Sequence, residues 1–131
     1  MIKTPEIILK QWAEYINKLE VENVVKLYGS GCTLLPTFSS QPLSTPEELK
    51  EYFTNFSKRK NVSVNIHNET LKKYELSKDR YALVGTYSFS FMVDDKQLTF
   101  PSRFTFILDT SKESPILHHH SSQIPEDGVK S

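Results

Sequence analysis

The chain has 131 residues, one domain's worth, and 16 basic residues balance 16 acidic ones. That neutrality, with Arg59, Arg80 and Arg103 as the only arginines, argues against a nucleic-acid module, whose affinity depends on many cations contacting phosphate. At 37 % apolar residues the composition argues against disorder, and a single cysteine, Cys32, leaves no internal disulfide and fits a reducing compartment.

No apolar run approaches the roughly 18 residues of a membrane helix. The opening MIKTPEIILKQW breaks into polar residues too soon for a signal peptide. A cytoplasmic chain with no membrane contact is expected. Cys32 itself stands in an apolar stretch and reads as a small core residue rather than a nucleophile.

Thr4 followed by Pro5 and Glu6 is a helix start: a side-chain cap, a proline at the first helical position, and a carboxylate at the positive end of the dipole. Ile8, Trp12, Tyr15 and Leu19 then share one face of a 3.6-residue period. A short second helix is expected from residue 20 or 21 to Tyr28, ended by Gly29 and Gly31. A strand from Cys32 to Pro36 and a serine-rich turn follow. Thr45-Pro46-Glu47-Glu48 then has the form of a capping box, opening a helix whose apolar face is Leu49, Tyr52, Phe53 and Phe56.

After Lys60 the period changes to two, with Val62, Val64 and Ile66 alternating with polar residues. Two longer strands, Tyr81 to Val93 and Gln97 to Leu108, flank a turn at Asp94-Asp95, and a last strand runs from Ile116 to Ser122. The tail from Pro125 to Ser131 is polar and expected to fray. The order predicts one α+β domain over residues 1–131. In it, a long N-terminal helix and two shorter helices pack in a strongly curved antiparallel sheet that leaves a conical pocket.

Three of the four histidines stand together in the last strand, His118-His119-His120-Ser121-Ser122. Three-residue loops at 94–96 and 111–113 would set Thr86 opposite Phe104, Phe104 opposite His120 and Phe106 opposite His118. One face of the sheet then carries Thr86, Ser102, Phe104, His118, His120 and Ser122. The other carries Tyr87, Arg103, Thr105, His119 and Ser121. Imidazoles and hydroxyls on a cavity wall can move protons near neutral pH. His118 and His120 can also reach one metal ion, with His67 as a third ligand. The same run also reads as an interface stripe or as hydrogen-bonded core histidines. Arg103, in an otherwise apolar strand, needs a structural carboxylate or an anionic ligand. Tyr87, Phe89 and Phe91 alternate on the second face, more aromatic surface than water would cover, which points to self-association.

Taken together, the tryptophan helix, LLPTFSSQP (34–42), TPEELKEYF (45–53), GTYSFSF (85–91), SRFTFIL (102–108) and HHHSSQIPE (118–126) resemble the nuclear transport factor 2-like (cystatin-like) superfamily. The branch they resemble holds the calcium/calmodulin-dependent protein kinase II association domain and the iota-class carbonic anhydrases. The resemblance implies a small free-standing protein that forms homodimers or larger rings. Nothing resembles a kinase domain or a calmodulin-binding segment, so those functions are not carried over. For the carbonic anhydrases it implies interconversion of carbon dioxide and bicarbonate, with zinc or manganese in some members and no metal in others. In the metal-free type a threonine, a tyrosine, a histidine and a serine are implicated.

On that resemblance the matching positions are Thr86, Phe104 (where the family more often has tyrosine), His120 and Ser122. The expected catalytic set is thus Thr86, His118, His120 and Ser122, with Arg103, Tyr87 and Phe104 contacting the ligand. No cofactor is expected, zinc or manganese on His118 and His120 being the alternative. The partner is a second copy of the chain and the ligand a small anion, bicarbonate or carbon dioxide. A non-catalytic oligomerisation or ligand-binding module is the competing reading, and an isomerase or cyclase would need a pocket carboxylate that the strands do not supply.

Overall fold

A computed structural model of the chain describes residues 3–125. The tail expected to fray lies, after Pro125, outside the described residues. Helix α1 spans Pro5–Asn17, and the Thr4 hydroxyl accepts the Ile7 amide as foreseen. Its buried stripe is Ile8, Leu9, Trp12, Ala13 and Ile16. Leu19 does not extend that stripe: it follows the helix with φ 60° and is exposed. Helix α2 is short, Val21–Lys26. Helix α3, Pro46–Ser57, carries the complete capping box, with the Thr45 hydroxyl accepting the Glu48 amide and the Glu48 carboxylate accepting the Thr45 amide.

Six strands form one sheet: β1 (Tyr28–Leu35), β2 (Ser63–Ile66), β3 (Lys72–Ser77), β4 (Arg80–Val93), β5 (Lys96–Asp109) and β6 (Ile116–Gln123). Their order is β1-β6-β5-β4-β2, with β3 also pairing with β4. β2 pairs with the stretch from Tyr87 to Ser90, β3 with that from Arg80 to Val84, and a 3-10 turn at Asn68–Thr70 separates them. The expected fully antiparallel sheet is corrected to a mixed one, because β1 lies parallel to β6. The sheet is open rather than strongly curled or closed. Gly29 and Gly31, expected to end a helix, lie inside β1. A Cβ on Gly29 would stand 3.0 Å from the Ser114 carbonyl, so glycine permits the close approach of β1 to the start of β6. β3 has no apolar alternation because all six of its residues are exposed.

The helices cover one face of the sheet. Trp12 packs there on Tyr87, Phe89, Phe106 and His119. Burying each such side chain stabilises by about 1.5–3 kcal/mol. The Asn17 side chain fastens the end of α1 to β2, donating to the Val64 carbonyl at 3.0 Å and accepting the Val64 amide at 2.7 Å. Tyr87, Phe89 and Phe91 are therefore core residues beneath α1 and α3, not an outer aromatic surface.

The strand register differs from the expected one by one residue on both sides of β5. At the β4–β5 hairpin the turn is the cause, and between β5 and β6 it is a β-bulge between Ile107 and Leu108, Leu108 still pairing with Ile116 as expected. Asp94 and Asp95 both have positive φ, 49° and 65°, and Val93 pairs with Lys96. This is a two-residue turn of the mirror-image type that matches strand twist. Thr86 consequently faces Arg103, and Tyr87 faces Ser102. On the other side Phe104 pairs with Ser121, Thr105 with His120, Phe106 with His119 and Ile107 with His118. Because side chains alternate, a slip of one residue moves a whole set to the opposite face. His119 and Ser121 point into the core, and His118, His120 and Ser122 away from it.

Candidate functional site

Inside the sheet, beneath α1 and α3, six polar side chains form a continuous chain of hydrogen bonds. The Trp12 indole N–H donates to the Tyr28 hydroxyl at 3.1 Å. That hydroxyl lies 2.8 Å from His119 Nδ1, and His119 Nε2 lies 3.0 Å from the Tyr87 hydroxyl. Tyr87 donates to Ser121 Oγ at 2.6 Å, and Ser121 meets Thr37 Oγ1 in a further hydrogen bond. Four elements place the cluster: α1 places Trp12, the first residue of β1 is Tyr28, β6 places His119 and Ser121, and β4 places Tyr87. Thr37 follows β1, fixed just after the buried Pro36.

The imidazole of His119 is clamped as well as bonded. Phe106 stacks on it with ring centroids 3.8 Å apart, and the Trp12 ring meets it edge-on at 5.4 Å. Only 2 % of His119 is exposed. Burial, helped by the neighbouring His118 and His120, pushes the His119 imidazole well below its ordinary range, so it is neutral. Burial likewise pushes the Tyr87 and Tyr28 phenols well up, against the opposing hydrogen bonds with Ser121 and Trp12. The cluster is therefore uncharged throughout, and every buried side-chain donor and acceptor in the described residues has a partner.

Trp12, Thr37, Tyr52, Phe56, Tyr87, His119 and Ser121 help to line a cavity of about 10 Å3. That is at the lower limit of what holds one water molecule. Tyr52 and Phe56, stacked one turn apart on α3, also line a larger outer hollow of about 430 Å3 that includes Glu48, Glu51 and Arg59. Among the described residues no carboxylate lines the inner cavity.

Of the residues expected at the site, the fold places Tyr87 in this cluster and Phe104 on the same face. There Phe104 packs on the Tyr87 ring, centroids 4.5 Å apart. The others lie on the uncovered face. Thr86 Oγ1 is 2.8 Å from His67 Nδ1 and donates to Thr70, while His67 Nε2 is 3.1 Å from the Ser88 hydroxyl. Arg103, His120, Ser122 and Phe104 border a shallow hollow of about 220 Å3. Arg103 donates from Nε to Ser122 at 3.3 Å and has no carboxylate within ion-pair distance among the described residues. His118 is half-buried two positions from His120 on β6. Thr37, His119 and Ser121, with Tyr28 and Trp12 behind them, were missed. The double aspartate at 94–95 is the signal for the two-residue turn that brings Ser102 and Phe104 to the Tyr87 face. The β-bulge between Ile107 and Leu108 that turns His119 and Ser121 to that face has no such local signal.

Zinc or manganese does not fit the residues present. Among the described residues no three of His, Cys, Asp or Glu converge as a ligand set. His67 is engaged by Thr86 and Ser88, away from His118 and His120. No helix among the described residues is long and apolar enough to cross a membrane.

No family model and no curated protein sequence matches the chain. Solved structures do. A protein described as a calcium/calmodulin dependent protein kinase II association domain, from Xanthomonas campestris, superposes with a TM-score of 0.82 at 24 % identity, over 92 % of this chain and 86 % of that one. An uncharacterized protein with a cystatin-like fold from Caulobacter vibrioides gives 0.76 at 12 % identity, over 93 % and 88 % of the two chains. The epoxide hydrolase/cyclase-like enzyme SalBIII, of pyran ring formation in salinomycin, gives 0.71 at 13 % identity, over 91 % and 89 %. The sheet order, the helices on one face and these superpositions agree: the chain has a cystatin-like fold.

Proposed function

We propose that the chain is an association-domain-like module whose polar cluster takes a small oxygen ligand, bicarbonate or its dehydrated partner carbon dioxide, once the Tyr52 and Phe56 rings bordering its one-water cavity move aside. The observation that carries this reading is the composition of the cluster. Thr37, Tyr87, His119 and Ser121 are one threonine, one tyrosine, one histidine and one serine, joined by hydrogen bonds around one small cavity. Those are the residue types that the resemblance to metal-free carbonic anhydrases implies, on positions other than Thr86, Phe104, His120 and Ser122. Thr37, held by its hydrogen bond with Ser121, supplies a hydroxyl to a ligand oxygen, and the aromatic walls exclude bulk water. Hydration bonds a water oxygen to the carbon of carbon dioxide and releases one proton to solvent, dehydration being the reverse, and the exchangeable Thr37 hydroxyl borders that space. A cyclase or isomerase reading, by analogy with SalBIII, lacks the lining carboxylate such chemistry would use.

Stopped-flow measurement of carbon dioxide hydration, with and without chelator, tests the proposal. Expected is a rate above background that chelator leaves unchanged, and that Ser121→Ala and Thr37→Val lower by at least 10-fold, the order of one lost positioning hydrogen bond. A background rate together with no bicarbonate binding by nuclear magnetic resonance overturns it.

A second reading, non-catalytic assembly, draws on the uncovered sheet face. Ala82, Val84, Thr105, Ile107 and His118 are half-buried there without any helix above them. A second copy of the chain covering that face is the partner we propose, in keeping with the association-domain-like neighbour.

A further inference from the structure

The hydrogen bonds of the cluster have a direction. An indole N–H is a donor and nothing else. The Tyr28 oxygen accepts it, so its own hydrogen is turned away from Trp12 and toward His119 Nδ1, 2.8 Å distant. With Nδ1 accepting, the proton of a neutral imidazole sits on Nε2 and is donated to the Tyr87 oxygen. Tyr87 must then give its hydrogen to Ser121, and the geometry of that contact independently assigns Tyr87 as the donor. Ser121 in turn donates to Thr37, whose hydroxyl hydrogen is left for whatever enters. The opposite arrangement would aim Thr37, Ser121 and Tyr87 inward at His119 Nε2. It would also leave the Tyr28 hydrogen buried without an acceptor, because Trp12 holds the other side of that oxygen.

We infer that Trp12, acting through Tyr28, sets the polarity of the whole relay, so that the cluster rests with an Nε2–H His119 and an outward-pointing Thr37 hydrogen and selects a ligand that accepts a hydrogen bond. Trp12 and Tyr28 are positioning residues on this account: the Trp12 ring borders the cavity, but its N–H is spent on Tyr28, and Tyr28 does not line the cavity. The ligand-selecting half rests on the proposed ligand site, whereas the polarity itself needs no ligand. An oxyanion such as bicarbonate meets the resting polarity directly. Hydration of carbon dioxide also releases one water-derived proton; the relay ends at the Trp12 N–H, which cannot accept, so that proton leaves toward solvent rather than along the relay.

Long-range proton–nitrogen correlation on protein labelled in its histidine rings reads the tautomer of His119. Expected in the unaltered protein is the Nε2–H form alone. Trp12→Phe vacates one side of the Tyr28 oxygen, and the Nδ1–H form should then appear at 10 % or more, about the population that a tenfold bias leaves. If Trp12→Phe does not fold, Tyr28→Phe, which removes the donor to Nδ1 and keeps the ring, should produce the same mixture. An Nδ1–H unaltered protein, or a folded Trp12→Phe protein with pure Nε2–H, overturns the polarity. Sodium bicarbonate and ammonium chloride are then added separately to the unaltered protein. Shifts of the Thr37 and Ser121 amides with bicarbonate and none with ammonium are expected. Ammonium acting in place of bicarbonate overturns the selection. A silent bicarbonate titration beside a pure Nε2–H tautomer overturns the ligand site and leaves the polarity standing.

Discussion

An imidazole enclosed by Tyr28, Tyr87, Phe106 and Trp12 has no water with which to share a second proton, and this leaves a signature in acid. The folded protein holds His119 below its unfolded value of about 6.5, so the unfolded chain takes up the proton first as pH falls. The stability that the neutral imidazole contributes is complete above about pH 6.5 and is lost below it, at up to about 1.4 kcal/mol per pH unit. Urea midpoints measured between pH 7.5 and pH 5 check this on the scale of the handful of units where histidine titrates. His119→Phe should unfold earlier at neutral pH, since Tyr28 and Tyr87 lose their partner, yet show a flatter slope. An equal slope in both proteins contradicts the assignment. Tyr87→Phe leaves His119 Nε2–H and Ser121 without their common partner. It should lower stability by about 1–3 kcal/mol by urea unfolding, with the fold retained.

At the scale of elements, the hairpin between β4 and β5 decides which residues meet inside. Two aspartates at positive φ are a tolerated choice there, and glycine at the second position is the preferred one. Asp95→Gly should therefore stabilise by about 0.5–1 kcal/mol in thermal or urea unfolding, whereas Asp95→Val, a branched residue forced to positive φ, should destabilise by at least as much. The ladder beyond this turn marks where the sequence stopped being legible. The caps at Thr4 and Thr45, the Trp12 stripe and the alternating strands were all readable, because each is written in local spacing. Which histidine of the run joins Phe104 and Phe106 in the core was not, because a one-residue β-bulge between Ile107 and Leu108 reverses the parity of β6 against β5, and no local spacing encodes it. β3 was invisible for a different reason. An edge strand exposed at all six positions carries no burial pattern to read. The parallel pairing of β1 with β6 joins segments that most of the chain separates, and no local spacing encodes it.

For the whole molecule, the two faces of the sheet divide the work. The inner face spends its aromatic residues on α1 and α3. The outer face keeps threonines, serines and histidines, with Ala82, Val84 and Ile107 between them. Self-association through that outer face should appear as a dimer or larger species in light scattering at micromolar concentration. Ile107→Glu should convert it to monomer without loss of folded signal, because Ile107 points away from the core. A monomer before substitution contradicts the assembly reading and leaves the inner cluster untouched, since the two surfaces share no side chain.

The stacked pair of Tyr52 and Phe56 stands between the outer hollow and the cavity beside Thr37. On the proposed ligand site, a guest arriving from the outer hollow has to displace those two rings. Occupancy of the interior will rise and decay on the clock of those rings, so trimming Phe56 to leucine should hasten both arrival and departure of a guest while shifting its equilibrium hold far less.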